Sequence, residues 1–190
     1  MDPQTPADRH REVASTFGAR VRGTRDWDVP APVEGWDARA VVEHLTTWFP
    51  AFLATSGVAF PAQPSAAEDP VGAWEAQTAA VQALLDDPAT AGQRLDNPHL
   101  GSMTVAQATD MIYTTDVLLH TWDLARATGQ DDRMDPEVCA ALVEGMAGVE
   151  ESMRSSGQYG PRVPVPDDAD PQTRLLGFIG RDPWWRPPAG

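Results

Sequence analysis

TVAQATDMIYTTDVLLHTWDLARATG, residues 104–129, is the stretch whose reading decides the fold. Thr104 with Gln107 three residues on forms a capping box, in which two otherwise free backbone N–H groups of a first helical turn find acceptors. Gly129 is a natural C-terminal stop, because glycine enters the left-handed conformation that closes a helix without a Cβ penalty. The spacing predicts one helix over 104–129, the longest of the chain.

Working outward, the same punctuation recurs. Thr5-Pro6 opens a first helix with Val13, Phe17 and Val21 four apart. Asp37 opens a second, where Val41, Val42, Leu45, Trp48, Phe49, Phe52 and Leu53 make a broad apolar stripe. Asp69-Pro70 opens a third through Val71, Trp74, Val81, Leu84 and Leu85, ending before Pro88. Asp135-Pro136 opens a fifth, with Val138, Cys139, Leu142, Val143, Met146 and Val149 on one face and Gly157 as its end. Pro-rich connections run from Val29 to Gly35 and from Val58 to Pro70, and no strand-like alternation of useful length is present. The fold reads as all-α, with a helical bundle over 1–159 and a C-terminal segment, 160–190, packed on it. That segment carries a short helical run from Thr173 to Ile179, and Trp184 and Trp185 as lids or anchors.

Composition narrows the function classes. The chain has 190 residues, enough for one domain with a sizeable core. Cys139 is alone, so neither an intramolecular disulfide nor a Cys-x-x-Cys metal or redox pair is available. Asp and Glu number 28 against 14 basic residues, all Arg, and a net charge of −14 repels phosphate backbones. Nucleic acid is not an expected partner. The absence of about 20 consecutive apolar residues, and of a basic region followed by an apolar one at the N-terminus, points away from a membrane and to a cytoplasmic protein.

The four histidines are few enough to weigh singly. His10 on the polar first helix and His99 beside Pro98 are expected at the surface. His120 follows Asp116 by four residues, so both side chains leave one helix face about a turn apart, and together they offer two ligands of the kind zinc, nickel, manganese or iron accepts. The ordinary alternative is a solvated ion pair. His44 lies at the edge of the most apolar stripe, as a third ligand or as a core histidine bonded to a backbone carbonyl. Asp123 is placed to accept the second N–H of His120, or to bond Arg126 one turn on. Tyr113 reaches the same region, or is buried and bonded to backbone. Cys139, on an apolar face, reads as a structural thiol.

Two segments carry a family resemblance: Asp26-Trp27-Asp28-Val29-Pro30-Ala31-Pro32-Val33-Glu34-Gly35-Trp36-Asp37 with the following Ala38 to Leu45, and Asp116 to Gly129. They resemble the N-terminal domain family of mycothiol-dependent maleylpyruvate isomerase, within the wider DinB/YfiT-like metalloprotein superfamily. The closing stretch from Arg174 to Pro183 looks like the ending of one actinobacterial branch. The resemblance implies a DinB-like four-helix bundle whose metal is held by His44, Asp116 and His120. It also implies a low-molecular-weight thiol, bound and deprotonated at the metal, that attacks an electrophilic substrate. Two positions differ from the isomerase pattern: Asp116 stands where that enzyme has Glu, and Val33 where relatives often have Cys. Only a short segment follows the fifth helix, where the isomerase has a C-terminal domain.

The expectation is therefore a divalent-metal protein, with zinc foremost and nickel, iron or manganese as alternatives, using mycothiol or a similar thiol as a transferase or isomerase on a small electrophile. Asp123 and Arg126 would orient ligands or substrate. A non-catalytic metal-binding or small-molecule-binding module is the second reading, and a scaffold associating through Trp184 and Trp185, for example as a homodimer, is the third.

Overall fold

The computed structural model describes residues 4–97, 101–155, 157 and 159–188; His99 lies outside the described residues. Side-chain caps set where the helices begin. Thr5 Oγ1 accepts from the Asp8 N–H at 3.2 Å and starts α1, Pro6–Gly23. Asp37 accepts from Ala40 at 2.8 Å and starts α2, Ala38–Thr55. Asp69 accepts from Gly72 at 2.9 Å and starts α3, Pro70–Asp86, which stops before Pro88 as predicted. A single turn, α4 (Pro88–Ala91), follows with Asp87 as its cap. Each such cap replaces a lost backbone hydrogen bond and contributes about 1 kcal/mol.

The 104–129 helix forms, but not uniformly. The reciprocal Thr104 and Gln107 bonds, 3.1 and 2.9 Å, begin α5, Val105–Ala108. Thr109–Thr114 then widens into a π-helical segment before α6, Thr115–Thr128, resumes to Gly129. Within the wider segment the Asp110 carbonyl accepts from Arg9 Nη1 at 2.7 Å and from Thr115 Oγ1 at 3.3 Å.

α1 packs on α3 and α6, and α2 packs on the same two helices. Phe17, Val21, Val41, Leu45, Phe49, Leu53, Trp74, Val81, Tyr113, Val117 and Leu124 fill the space between them. Burying one such side chain contributes roughly 1.5–3 kcal/mol, so this interior sets the helix positions. His10, expected at the surface, is fully buried here, with Nδ1 3.3 Å from Thr114 Oγ1.

Two further expectations are corrected. Arg94–Asn97 (β1) and Gly101–Thr104 (β2) pair as an antiparallel hairpin, with Leu95 opposite Met103. Strands of four residues, in which Leu95 is buried, are too short to show an alternation in the sequence. The fifth helix is two: α7 (Pro136–Ala147) ends at Gly148, and α8 covers Glu150–Ser155. Gly145 and Gly148 weaken the helix there, and Val138 and Val149 are exposed instead of sharing the buried face of Cys139.

The C-terminal segment has a core of its own making. α9, Pro171–Phe178, packs on α7, and Leu175, Leu176, Phe178 and Ile179 meet Cys139, Leu119 and Trp122. α6 is therefore covered on two sides, by the main core through Val117 and Leu124 and by this second cluster through Leu119 and Trp122. Among the described residues no helix is long and apolar enough to cross a membrane.

Candidate metal centre

α6 presents Asp116 and His120 toward α2, which supplies His44. His44 Nε2 lies 3.1 Å from Asp116 Oδ2, and His120 Nε2 lies 3.4 Å from Asp116 Oδ1. One donor atom from each of the three residues falls within 4.8 Å of the other two. Metal bonds of about 2.0–2.1 Å at tetrahedral angles put donor atoms about 3.3–3.5 Å apart; the two Asp116 contacts, one to each oxygen, are near that separation, while a set spanning up to 4.8 Å has to draw in to share one ion. Two imidazoles and a carboxylate are also a donor set that such ions accept.

Aromatic side chains frame the three. Trp36 stacks on His120 with ring centroids 5.6 Å apart and planes at 18°, and its ring is 5.0 Å from that of His44. A tight turn places it there: Ala31 N–H donates to the Trp36 carbonyl at 2.9 Å and Trp36 N–H to that of Val33 at 3.0 Å. Gly35 takes the positive φ, 77°, that this turn requires. Trp48, one turn beyond His44, donates its Nε1–H to Asp116 Oδ2 at 3.0 Å. Covered from these sides, the centre is still open at one: the side chains of His44 and Asp116 are 30% and 21% exposed, that of His120 only 5%. Trp36 also lines a cleft of about 580 Å³ between the 28–37 segment and Trp185.

The electrostatics favour positive charge. Burial pushes the Asp116 carboxyl up, but His120, His44 and the Trp48 N–H outweigh it and hold the group below the ordinary carboxylate value. Burial pushes His120 down, but the Asp116 and Asp123 carboxylates outweigh it and raise the imidazole above its usual value. A site that draws a proton for this reason draws a metal cation for the same one, and the two compete for the His120 nitrogen.

Asp123 does what the sequence offered as one of two options. Its Oδ2 lies 2.8 Å from His120 Nδ1. A carboxylate only accepts, so Nδ1 carries the hydrogen and Nε2 is left for Asp116 and the space beside it. Arg126 is not its partner. That residue pairs with Asp132 at 2.8 Å, lies over the Trp122 ring and donates to the Pro183 carbonyl, away from the three candidate ligands. The partner is Arg181, whose Nε and Nη2 donate to the two Asp123 oxygens at 2.9 and 3.0 Å. Tyr113 is also outside the centre; it is buried in the main core, where its hydroxyl donates to the Leu45 carbonyl at 3.3 Å and accepts from Gln77 at 3.1 Å.

Two proteins of Mycobacterium tuberculosis, the uncharacterized proteins MT0763 of strain CDC 1551 / Oshkosh and Rv0738 of strain ATCC 25618 / H37Rv, are each 30% identical to the chain over 190 residues. The match covers 95% of this chain and 98% of each relative. The chain belongs to the family of these mycobacterial proteins. No protein-family model matches it, and no solved structure does.

Trp36, Trp48 and Arg181 were not singled out as site residues by the sequence. Trp48 carried a readable signal, since it stands four residues after His44 on the same helix. Arg181 carried none beyond the requirement that a buried carboxylate such as Asp123 find a cation.

Proposed function

We propose that the protein binds one divalent cation, zinc foremost, through His44, Asp116 and His120. We further propose that it works as a thiol-dependent transferase or isomerase on a small electrophile, with mycothiol or a similar low-molecular-weight thiol. The observation that carries the reading is the convergence of three donor side chains from two helices at a point still open to solvent. The pairing of α1 and α2 with α3 and α6 agrees with a DinB-like four-helix bundle, in keeping with the resemblance of the two ligand-bearing segments.

A cation with an open coordination position supplies Lewis acidity, which brings the pKa of a thiol or water placed there toward neutrality. The chain's own residues do the rest. Trp48 holds the Asp116 carboxylate in place, and Asp123 fixes the His120 ring. Trp36 shields His120 from water and forms the wall between the centre and the adjacent cleft, where an apolar part of a substrate would lie against Pro30, Val33 and Trp185. The second reading, a non-catalytic cation tying α2 to α6, calls for a closed centre, and the exposed edges of His44 and Asp116 favour the first.

The test is elemental mass spectrometry on protein purified without chelator or affinity tag, beside a His120→Ala variant, followed by thiol addition to cobalt-loaded protein. About one metal per chain, lost in the variant, with a thiol-dependent change in the cobalt absorption bands, is the expected result. Protein that takes up no metal overturns the reading; metal without any thiol response leaves the non-catalytic module.

A further inference from the structure

Resting on the metal reading above, we infer that Arg181, delivered by the C-terminal segment, is a positioning residue for the metal centre. It acts through Asp123 on His120, so that cation affinity depends on the docking of α9 and the turn after it.

The chain of contacts is continuous and largely buried. Arg181 grips both oxygens of Asp123, at 2.9 and 3.0 Å, and Asp123 Oδ2 meets His120 Nδ1 at 2.8 Å. The Asp123 side chain is 1% exposed and that of Arg181 16%. A side chain buried to that degree, holding a histidine with one of its oxygens, needs fixed donors on its oxygens to stay in place. Arg181 provides it with a planar two-pronged donor that a lysine cannot reproduce.

The backbone is built to deliver this side chain. Gly180 closes α9 with a φ of 84°, and the Arg181 N–H donates back to the Leu176 carbonyl at 2.8 Å. A Cβ on Gly180 would lie 3.0 Å from the Gly160 backbone, so the turn is packed as tightly as glycine allows. Leu175, Leu176 and Ile179 anchor the helix that carries it. Arg181 is thus held from one end by the second apolar cluster and from the other by Asp123.

Removal of an outer hydrogen-bond partner of a ligating histidine ordinarily costs about 10- to 100-fold in metal affinity. The experiment measures zinc affinity by competition with a chromophoric chelator for the wild type, Arg181→Ala, Arg181→Lys, Asp123→Ala and the Arg181→Ala/Asp123→Ala double variant. Arg133→Ala serves as control, because that residue is exposed and pairs with Asp131 without touching Asp123 or α9. Far-ultraviolet circular dichroism of the metal-free proteins reports folding.

Arg181→Ala is expected to weaken binding about 10-fold or more, Arg181→Lys by less, and the double variant by no more than Asp123→Ala alone, while Arg133→Ala binds as the wild type does. Should Arg181→Ala not fold, Arg181→Lys, which keeps the charge and loses the fork, decides. Wild-type affinity in the Arg181 variants, additive losses in the double variant, or an equal loss in Arg133→Ala overturns the positioning role and leaves the metal reading standing. Absence of zinc binding by the wild type overturns the metal reading and this inference with it.

Discussion

His10, packed from α1 against the helical stretch that runs from Val105 to Thr128, and His120, which belongs to that stretch, are both buried, and they differ in almost everything that decides chemistry. His10 faces a hydroxyl, Thr114 Oγ1, and the ring of Tyr113 at 5.9 Å. Burial therefore dominates, and its pKa falls from 6.5 to about 4. His120 is buried between Asp116 and Asp123, and those carboxylates reverse the sign of the shift. Burial alone makes a neutral core histidine; burial with two anchored carboxylates makes a place for a cation.

The sharpest way to break that comparison is to remove His120. His120→Ala should abolish stoichiometric metal binding, a larger effect than the roughly 10- to 100-fold typical of an outer partner, and it is read by elemental analysis. Acid should act in the same direction. Because the carboxylates raise His120, protons compete for its nitrogen more strongly than for an ordinary imidazole, so the apparent metal affinity measured by competition falls as pH falls.

The same comparison sets opposite slopes of stability with pH in the metal-free protein. His10 binds its proton less well folded than unfolded, so its contribution is complete above pH 6.5 and is lost as pH falls toward 4. The range corresponds to about 3 kcal/mol. His120 binds its proton better folded, so its contribution is present below 6.5 and is lost as pH rises through its raised value. Denaturant unfolding of metal-free protein between pH 4 and 7 measures the sum, and His10→Phe should flatten the acid limb. An unchanged acid limb in that variant would show that His10 is not the group responsible.

How much of this could be read beforehand follows from which interactions are local. The caps at Thr5, Asp37, Asp69, Thr104 and Asp135 depend on residues two or three apart and were legible. Asp116 and His120 were legible as a pair for the same reason. That His44 meets them depends on how α2 packs on α6; its place at the edge of the apolar stripe left ligand and core histidine as alternatives, and the family resemblance pointed to the ligand. His10 was misread because Asp8, Arg9 and Arg11 surround it in sequence, yet it stands on one face with Ala14, Phe17 and Val21, all buried. Arg181 and Asp123 are 58 residues apart, and nothing local announces their pairing.

The π-helical turn is another feature without a local signature, and it separates the two histidine environments. Arg9 supports it by bonding both the Asp110 carbonyl, at 2.7 Å, and the Asp110 carboxylate, at 2.9 Å. The pair is partly exposed, so solvent screens much of the ionic contribution. Arg9→Ala is expected to destabilise the fold by about 1–2 kcal/mol in denaturant unfolding. Metal affinity should change little, since the donor atoms lie beyond the turn; a large loss of affinity would mean that the π segment, and not the α2–α6 contact alone, sets the position of Asp116.

The smallest effect is expected at Cys139, and it sharpens what the centre requires. This thiol is buried among Leu175, Leu176 and Trp122, and burial, with smaller contributions from the nearby Asp135 and Asp170, pushes its pKa up to about 11. Such a thiol stays protonated at neutral pH, which disfavours it as a nucleophile, and it sits in the second apolar cluster, outside the group formed by His44, Asp116 and His120. It is also the only cysteine in the chain, so a thiol-dependent reaction must draw its sulfur from a separate molecule. Cys139→Ala should therefore leave metal content and the thiol response of cobalt-loaded protein as in the wild type. In the wild type, iodoacetamide should label this residue only after unfolding. Rapid labelling of folded protein, together with loss of the thiol response in Cys139→Ala, would place the reacting sulfur on the chain itself and remove the need for an external thiol.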